Sequence, residues 1–290
     1  MSIPHTPEAA VPHGSILAPV NARRWLAWMQ SLSVSSAVVL SAVMGGGDRV
    51  MAAPPETAPA SVLEFVADLD AAANQADVRQ VMQHYSQDFR SADGLSYRDM
   101  ENALTTLWEQ YPGLTYETQL LSWEQDGDAI ITETMTLITG TPLVGDRPFE
   151  FTSTLEARQR LVDSEIVEQE ILAEETVLMS GSNPPTVQIN LPASVAMGRS
   201  FTFDAIVLEP LAGERLMGVA LDEPVDLAGY LDPMDVELTV LPAGGLFKIG
   251  QAPETPGSRW ISAVLVREDG ITMVTRRLHI VRPDDASQGS

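Results

Sequence analysis

The order of amphipathic segments between Ser61 and Gly181 is the feature that most constrains the fold of this chain. Three segments with apolar residues at helical spacing come first, and four long segments in which apolar and polar residues alternate follow them. Few residues separate these segments, so we expect the strands to pair as antiparallel neighbours and the helices to pack on one face of the sheet. The sequence therefore predicts an α+β cone of three helices against a curved antiparallel sheet. The interior of such a cone can be an active site, a binding cleft or core.

Each predicted helix begins at a residue that can accept hydrogen bonds from free backbone amides. The predicted helices run from Ser61 to Asn74, from Asp77 to near Phe89, and from Ser96 to just before Pro112. Ser61 with Glu64, and Ser96 with Asp99, have the spacing of a capping box, in which two side chains satisfy the first amides of a helix. Asp77 is the predicted cap of the second helix.

The four strand segments are long and end at turn signals. They are Leu114–Trp123, Asp128–Thr139, Phe149–Arg160 and Ile166–Leu178. Asp126-Gly127 is a hairpin turn signal between the first two strands. The last segment is rich in glutamate, so a helix is the alternative there. A strand is favoured because Val167, Ile171 and Val177 lie on one alternating face.

The first 52 residues are typical of an export signal. Arg23 and Arg24 precede an apolar run from Leu32 to Met44, which is shorter than the roughly 20 apolar residues that a membrane-spanning helix needs. Small residues before Ala53 predict cleavage after Ala52, by the ordinary secretory route rather than the twin-arginine route. We therefore expect export to the periplasm or an equivalent extracytoplasmic lumen, with no membrane span in the mature chain. An uncleaved membrane anchor is the alternative.

Composition excludes several classes of function. The chain has 40 acidic and 17 basic residues, a net charge of −23, and this charge disfavours binding to nucleic acid phosphates. The acidic surface is interpreted as a solvated face, with a cationic ligand as the alternative. No cysteine is present, so no disulfide or thiolate metal site can form. Only His84 and His279 follow the predicted signal, without metal-ligand spacing, so neither a metal nor a cofactor is expected.

The remaining chain predicts a second domain. A flexible leader at 53–60 precedes the first domain at 61–181, and a linker at 182–185 follows it. Seven short strand-like runs between residues 186 and 282, separated by turn signals, predict an immunoglobulin-like β-sandwich, and a disordered tail is expected at 283–290. Arg276, Arg277 and Arg282 form a basic patch near its end. The patch either docks against the acidic first domain or remains a solvated edge.

Three stretches of the first domain resemble a known superfamily. Asp77–Phe89, Asp93–Glu117 and Glu165–Gly181 are similar to the nuclear transport factor 2-like superfamily, and in particular to its exported cyanobacterial members. The superfamily includes polyketide-cyclase-like (SnoaL-like) and ketosteroid-isomerase-like proteins. The resemblance implies a cystatin-like cone with a pocket inside it. No motif match carries over a specific catalytic residue.

Catalytic relatives use a pocket carboxylate or histidine as a general base, often beside a tyrosine that donates a hydrogen bond. The weak catalytic candidates here are Glu133 and His84. Glu133 points into the cone only if Ala129, Ile131 and Met135 form the inner face, and the sequence leaves either face of that strand open. The predicted pocket-lining residues are Tyr85, Trp108, Tyr116 and Phe151.

Two hypotheses of function follow. The favoured one is an exported, soluble binding or interaction protein whose conical pocket holds a small apolar ligand or a protein partner. The alternative is a cofactor-independent isomerase, cyclase or hydrolase that uses Glu133 or His84. A pocket filled by Phe65, Trp108 and Phe151 would count against the enzyme. The curved sheet also offers a face for a homodimer.

Overall fold

The computed structural model describes residues 52–144, 147–211, 213–225, 237–241 and 244–284 of this 290-residue chain. The predicted signal peptide, apart from Ala52, and most of the predicted disordered tail lie outside these ranges. In the described part of the chain, no helix is long and apolar enough to cross a membrane.

Three α-helices and a preceding turn of 3₁₀-helix cover the early part of the described chain. The 3₁₀ turn is Pro55–Thr57, and the α-helices are α1 (Ala60–Asn74), α2 (Val78–Met82) and α3 (Tyr97–Gln110). Two predicted caps are confirmed: Asp77 accepts a hydrogen bond from the amide of Gln80, and Ser96 and Asp99 form a reciprocal capping box. The predicted Ser61 cap is wrong. Helix α1 already starts at Ala60, after Pro59, and has no side-chain cap.

The second helix is shorter than predicted. It ends at Met82, and the chain then enters strand β1 (Tyr85–Ser91), which pairs parallel with a later strand through Tyr85 and Ile166. The spacing of Tyr85 and Phe89 suits a helix, but both residues lie in strand β1, and their side chains are buried there. Pairing with the sheet therefore overrides the local helical pattern, because it satisfies backbone groups such as the His84 carbonyl, which accepts from the Ile166 amide at 2.8 Å.

The four predicted long strands are all present, and the strand interpretation of the glutamate-rich segment is confirmed. With two short strands between them, they are β2 (Thr115–Asp126), β3 (Ala129–Gly140), β4 (Leu143–Val144), β5 (Arg147–Pro148), β6 (Glu150–Val162) and β7 (Glu165–Gly181). Strand β7 has two irregularities in its register with β6. They change which residues face the helices, so the predicted common face is wrong: Ile171 packs inward with Ala157, whereas Val177 packs on the opposite side.

Eight strands follow in the C-terminal part. They are β8 (Val187–Asn190), β9 (Ser194–Ala196), β10 (Ser200–Val207), β11 (Met217–Pro224), β12 (Thr239–Val240), β13 (Gly245–Gln251), β14 (Gly257–Arg267) and β15 (Gly270–Val281). Strands β13, β10 and β8 form a separate sheet in that order. Its inner residues, such as Phe203 and Ala205, share a core with Ile261 and Leu265 of β14, so two sheets pack face to face.

One continuous sheet joins the two domains. Strand β15 pairs antiparallel with the second half of β7, from Gly270 opposite Gly181 to Arg276 opposite Glu175. Among the described residues this gives a ten-stranded sheet. Eight strands follow the order β12-β11-β14-β15-β7-β6-β3-β2, and the other two pair beside this path, β1 with β7 and β9 with β15. The C-terminal domain therefore extends the sheet of the N-terminal domain.

Two of the core clusters also contain residues of both domains. The cluster under the helices contains Phe65, Phe89 and Trp108, and it also includes Val225 and Trp260 from the C-terminal domain. A further cluster joins Tyr111, Phe151 and Leu178 to Val264 and Met273. Only the core between the two C-terminal sheets lies almost wholly in one domain.

The segments predicted as a leader and a linker are packed rather than free. Ala53 exchanges backbone hydrogen bonds with Trp123, whose indole Nε1 donates to the Thr57 hydroxyl at 3.1 Å. In the linker, the Pro185 carbonyl accepts from the Thr272 hydroxyl at 2.6 Å. Gly270 lies so close that an added Cβ would stand 2.4 Å from the Pro184 backbone.

We predict that Gly270→Ala destabilises the protein by about 1–3 kcal/mol, because the methyl group meets backbone that cannot move aside. Gly244→Ala is the control, since an added Cβ there has no neighbour within 4 Å. Urea unfolding followed by circular dichroism measures both. Equal midpoints for the two variants would show that the joint between the domains is loose.

Candidate functional site

Glu133 lies on the outer face of β3. Its neighbours Thr132 and Thr134 are buried on the inner face, so the side chain of Glu133 points away from the helices. Its Oε1 accepts from Arg158 at 2.7 Å, and its Oε2 accepts from the Ser122 hydroxyl at 3.3 Å. The sequence left two orientations open, and the structure has the one that keeps Glu133 outside the cone. A catalytic role for Glu133 stays a prediction.

His84 lies between α2 and β1, half-buried beside Phe65. The two rings meet edge to face, with centroids 5.3 Å apart. Burial lowers the pKa of His84, and the nearby Asp68 carboxylate opposes that shift. Its environment is thus an aromatic contact at the end of a helix, and its catalytic role also stays a prediction.

The four predicted pocket-lining residues pack in the core: Trp108 and Tyr116 contact each other, whereas Tyr85 and Phe151 lie in different clusters. Trp108 donates from Nε1 to the Tyr116 hydroxyl at 2.9 Å, and burial raises the pKa of Tyr116 to about 12. Tyr85 packs on Phe89 and donates to Gln169 at 3.3 Å. Phe151 belongs to the cluster that continues into the C-terminal domain. Phe65, Trp108 and Phe151 are all buried.

A buried cluster of charges lies where the two domains meet, and we call Asp93, Glu174, Trp260 and Arg277 the junction cluster. Arg277 from β15 donates to Glu174 Oε2 from Nη2 at 3.0 Å, and to both oxygens of Asp93 from Nη1 at 3.3 Å. Trp260 donates from Nε1 to the same Glu174 oxygen at 3.1 Å. The side chain of Arg277 is only 1% exposed, and the two carboxylates are 5% exposed or less.

Each member of the junction cluster comes from a different element. Asp93 lies in the turn between β1 and α3, and Glu174 lies on the inner face of β7 opposite Leu155. Trp260 and Arg277 are directly opposite each other on β14 and β15, with the guanidinium 5.9 Å from the centre of the indole ring. The cluster therefore forms only when both domains are folded and paired.

Electrostatics leave this cluster short of one positive charge. Two buried carboxylates face one guanidinium, so burial raises the pKa of Asp93 to about 7, although Arg277 opposes the shift. Glu174 Oε1 has no hydrogen-bond partner among the described residues. Nearby, His279 contacts the Leu172 carbonyl through Nε2 at 2.9 Å, and burial lowers its pKa, so it adds no charge at neutral pH. Chemically, the cluster can hold one proton near neutrality.

The sequence predicts part of this cluster, namely its basic residues. The basic patch was predicted either to dock on the acidic domain or to stay solvated. Docking is observed for two of its members, since Arg276 pairs with Glu175 and Arg277 with Glu174. The sequence did not indicate Glu174, because a β-bulge after Ile171 turns it inward and no periodic pattern reveals a bulge. It did not indicate Asp93, because that residue lies in a turn, where no periodic pattern applies.

A second feature is an open groove at one end of the smaller C-terminal sheet. Its volume is about 920 Å³, and it is lined by Ile189, Asn190, Leu191, Pro192, Ser194, Val195, Ser200, Phe201, Thr202 and Ile249. None of these lining residues is charged. Elsewhere, no group of three or more histidine or acidic residues in the described ranges is arranged to hold a metal ion.

The comparisons with known proteins gave one family model and several similar solved structures. The family model "Domain of unknown function (DUF8623)" matches residues 182–281. A search of curated proteins gave no match to the chain.

Similar solved structures align with little more than a third of the chain. A cystatin-fold protein from Novosphingobium aromaticivorans is 20% identical, covering 38% of this chain and 95% of that one at a TM-score of 0.27. The hexachlorocyclohexane dehydrochlorinase LinA-type3 from Novosphingobium barchaimii is 10% identical, covering 39% and 83% at 0.33. A protein with a ketosteroid isomerase-like fold from Catenulispora acidiphila is 14% identical, covering 37% and 83% at 0.29.

In the N-terminal domain three helices pack with four long antiparallel strands, as the sequence predicted, but strand β1 lies between α2 and α3 and pairs parallel with β7. The continuation of this sheet into a second domain was not predicted.

We predict that Arg277→Met destabilises the protein by about 3–5 kcal/mol, because it leaves two buried carboxylates without their cation. Arg276→Met is the matched control on the same strand: its ion pair with Glu175 is 35% and 41% exposed, so we expect a loss of no more than about 1 kcal/mol. Urea unfolding at pH 7 measures both. Similar losses of stability in the two variants would contradict the conclusion that buried Arg277 stabilises the junction cluster.

Asp93→Asn should change how stability depends on pH. Because the folded pKa of Asp93, about 7, lies above the unfolded value of 3.8, the folded state holds the proton more tightly. The contribution of Asp93 is therefore fully present below pH 4 and is lost as the pH rises towards 7, by up to about 4 kcal/mol. The difference in free energy of unfolding between wild type and Asp93→Asn should fall over that range.

The exposed Asp88→Asn serves as the control for this titration, and urea unfolding at several pH values between 4 and 8 gives the curves. Parallel curves for wild type and Asp93→Asn would contradict the proton at this site.

Proposed function

We propose that this protein is a non-catalytic, extracytoplasmic binding protein that recognises a protein partner through its surface. The main observation in support is that Phe65, Trp108 and Phe151 are buried in the core. Large aromatic side chains stabilise a core when fully buried, and a core leaves little room for a substrate. Of the two ligands expected from the sequence, this favours a protein partner over a small apolar molecule.

The positions of the acidic and basic side chains support the same proposal. Glu133 is engaged by Arg158 outside the cone, and His84 packs on Phe65. Inside, Glu174 and Asp93 both bind Arg277. A general base needs a free acceptor within reach of a substrate proton, and an ion-paired carboxylate is a poor one.

In this proposal the C-terminal domain is an immunoglobulin-like interaction module. Two sheets packed face to face around Phe203, Ile261 and Leu265 are in keeping with such a sandwich. One of its sheets is fused to the cone, so the module is held rigidly. Rigid attachment favours binding because less conformational entropy is lost on association.

Export remains part of the proposal. It rests on the apolar run Leu32–Met44, the predicted cleavage after Ala52 and the absence of cysteine from the sequence. Ala53, the first residue after that cleavage, is hydrogen-bonded to Trp123 in the folded protein.

A second candidate function is cofactor-independent catalysis, and the junction cluster is the observation in its favour. Asp93 has a pKa of about 7, which suits proton transfer at neutral pH. This candidate would move the base from Glu133 or His84 to Asp93, and it requires an opening to the cluster.

Genetic complementation separates the two candidates. In a deletion strain, we expect Glu133→Gln, His84→Gln and Asp93→Asn to restore the wild-type phenotype fully, since a binding protein needs none of these groups for chemistry. Western blots of the periplasmic fraction confirm that each variant accumulates. Loss of complementation by any variant present at the wild-type level would instead support the enzyme.

A further inference from the structure

We propose that strand β13 binds an extended segment of a partner protein as an additional β-strand. The proposal rests on the proposed binding function and assigns its site. The segment would place apolar side chains beside Phe247 and Ile249 and an acidic side chain beside Lys248. Each part of this description follows from one observation on β13 or its surroundings.

The first observation is an open strand edge. Strand β13 is the last strand of its sheet and pairs only with β10 among the described strands. Its other edge therefore carries backbone amides and carbonyls without partners in the described part of the chain. Such an edge is a template for a further strand, and main-chain hydrogen bonds supply much of the affinity in this mode of binding.

The second observation is the alternation of side chains along this strand. Phe247 and Ile249 lie on the outer face, where they pair with Asp204 and Thr202, and they are 56% and 81% exposed. Edge strands of soluble proteins seldom present two large apolar side chains to water, because these promote association. Burying both side chains under a partner strand removes that cost.

The third observation is the groove next to Ile249. It begins at Ile249 and Thr202 and is bounded by the Leu191–Val195 segment. None of its lining residues is charged, in a chain with a net charge of −23. The groove lies across β10 and β8, on the side of β13 away from its free edge, and Ile249 is its one residue from β13. An apolar side chain of the partner that packs on Ile249 therefore lies beside an uncharged surface.

The fourth observation is the charge of the strand. Lys248 is the only lysine in the sequence, and it is exposed and forms no ion pair with any described residue. A two-fold antiparallel pairing of two copies centred on this strand would place one Lys248 opposite the other, which disfavours a homodimer at this edge. An acidic residue opposite Lys248 is favoured for the same reason, so the occupant is a segment of another protein.

Fluorescence polarisation with two capped, labelled hexapeptides tests the proposal. One peptide is Val-Glu-Val-Glu-Val-Glu, which presents valines on one face and carboxylates on the other, and the matched peptide has lysine in place of glutamate. In about 0.5 M salt, which screens the long-range field of the −23 charge, we expect the glutamate peptide to bind several-fold more tightly than the lysine peptide. A glutamate peptide N-methylated on alternate amides should lose binding, because it cannot pair with a strand edge.

Variants of β13 locate the site. Ile249→Asp should weaken binding of the glutamate peptide by about tenfold or more, and Lys248→Glu should reverse the preference between the peptides. Leu143→Asp is the matched control, since Leu143 is 64% exposed in the other domain and should have no effect. Circular dichroism verifies that each variant is folded.

Three outcomes would overturn the proposal: no binding of the glutamate peptide, equal binding by the Ile249→Asp variant, or a homodimer of the free protein that Ile249→Asp dissociates. The last would identify a second copy as the occupant. The complementation experiment is independent of these results. If the peptides fail while the Glu133, His84 and Asp93 variants still complement, the site on β13 is wrong and the binding function stands.

Discussion

The contact on which this structure depends is the one between Arg277 and the two carboxylates Asp93 and Glu174. Burying a guanidinium is unfavourable unless its charge and its donors are both satisfied. Here one domain supplies the cation and the other supplies both anions, so neither domain can complete the cluster alone. The pairing of β15 with β7 holds these groups in place, and the cluster in turn holds the two strands in one register. The same interaction therefore sets the register of the sheet and the orientation of the domains.

Strand β7 makes this arrangement possible because it is long enough to serve both domains. Its first residues pair with β1 under the helices, and its last residues pair with β15. A bulge near Leu172 separates the two halves and turns Glu174 to the inner face. Without the extra residue, the alternation would direct Glu174 outward, towards water, and Arg277 would lack its closest anion.

Much of the cone could be predicted from the sequence, because its signals are local. Asp77 and Ser96 cap helices where side-chain chemistry predicts caps, and the alternation of β3 and β6 survives in the fold. The failures have a common cause. Tyr85 and Phe89 fit a helical stripe, but pairing with β7 decides their conformation. No local pattern records that a distant strand is available.

The same reasoning explains why the candidate site was located only in part. Glu133 was a candidate because it is a carboxylate on a strand with apolar residues on both faces. Its pairing with Arg158 depends on the register of β3 and β6, which the sequence does not show. The sequence shows Arg276 and Arg277 as a basic patch, but it does not show that Arg276 is partly exposed and Arg277 fully buried. Alternation on β15 gives the two arginines opposite faces, and both faces are packed: Val274 and Leu278 lie in the core between the C-terminal sheets, and Met273 lies in the core shared with the N-terminal domain.

The use of positive charge in this chain links the interior to the surface. Residues 53–181 carry six basic and 24 acidic residues, so cations are scarce where anions are dense. Arginines from the C-terminal domain neutralise Glu174, Glu175 and Asp93 at the junction. Long-range repulsion within an acidic protein opposes compaction, and each such contact offsets part of it. Lys248 forms no ion pair with the residues that the structure describes. Its charge lies on an exposed strand edge, away from the ion pairs of the junction, where it can attract an acidic side chain of a partner.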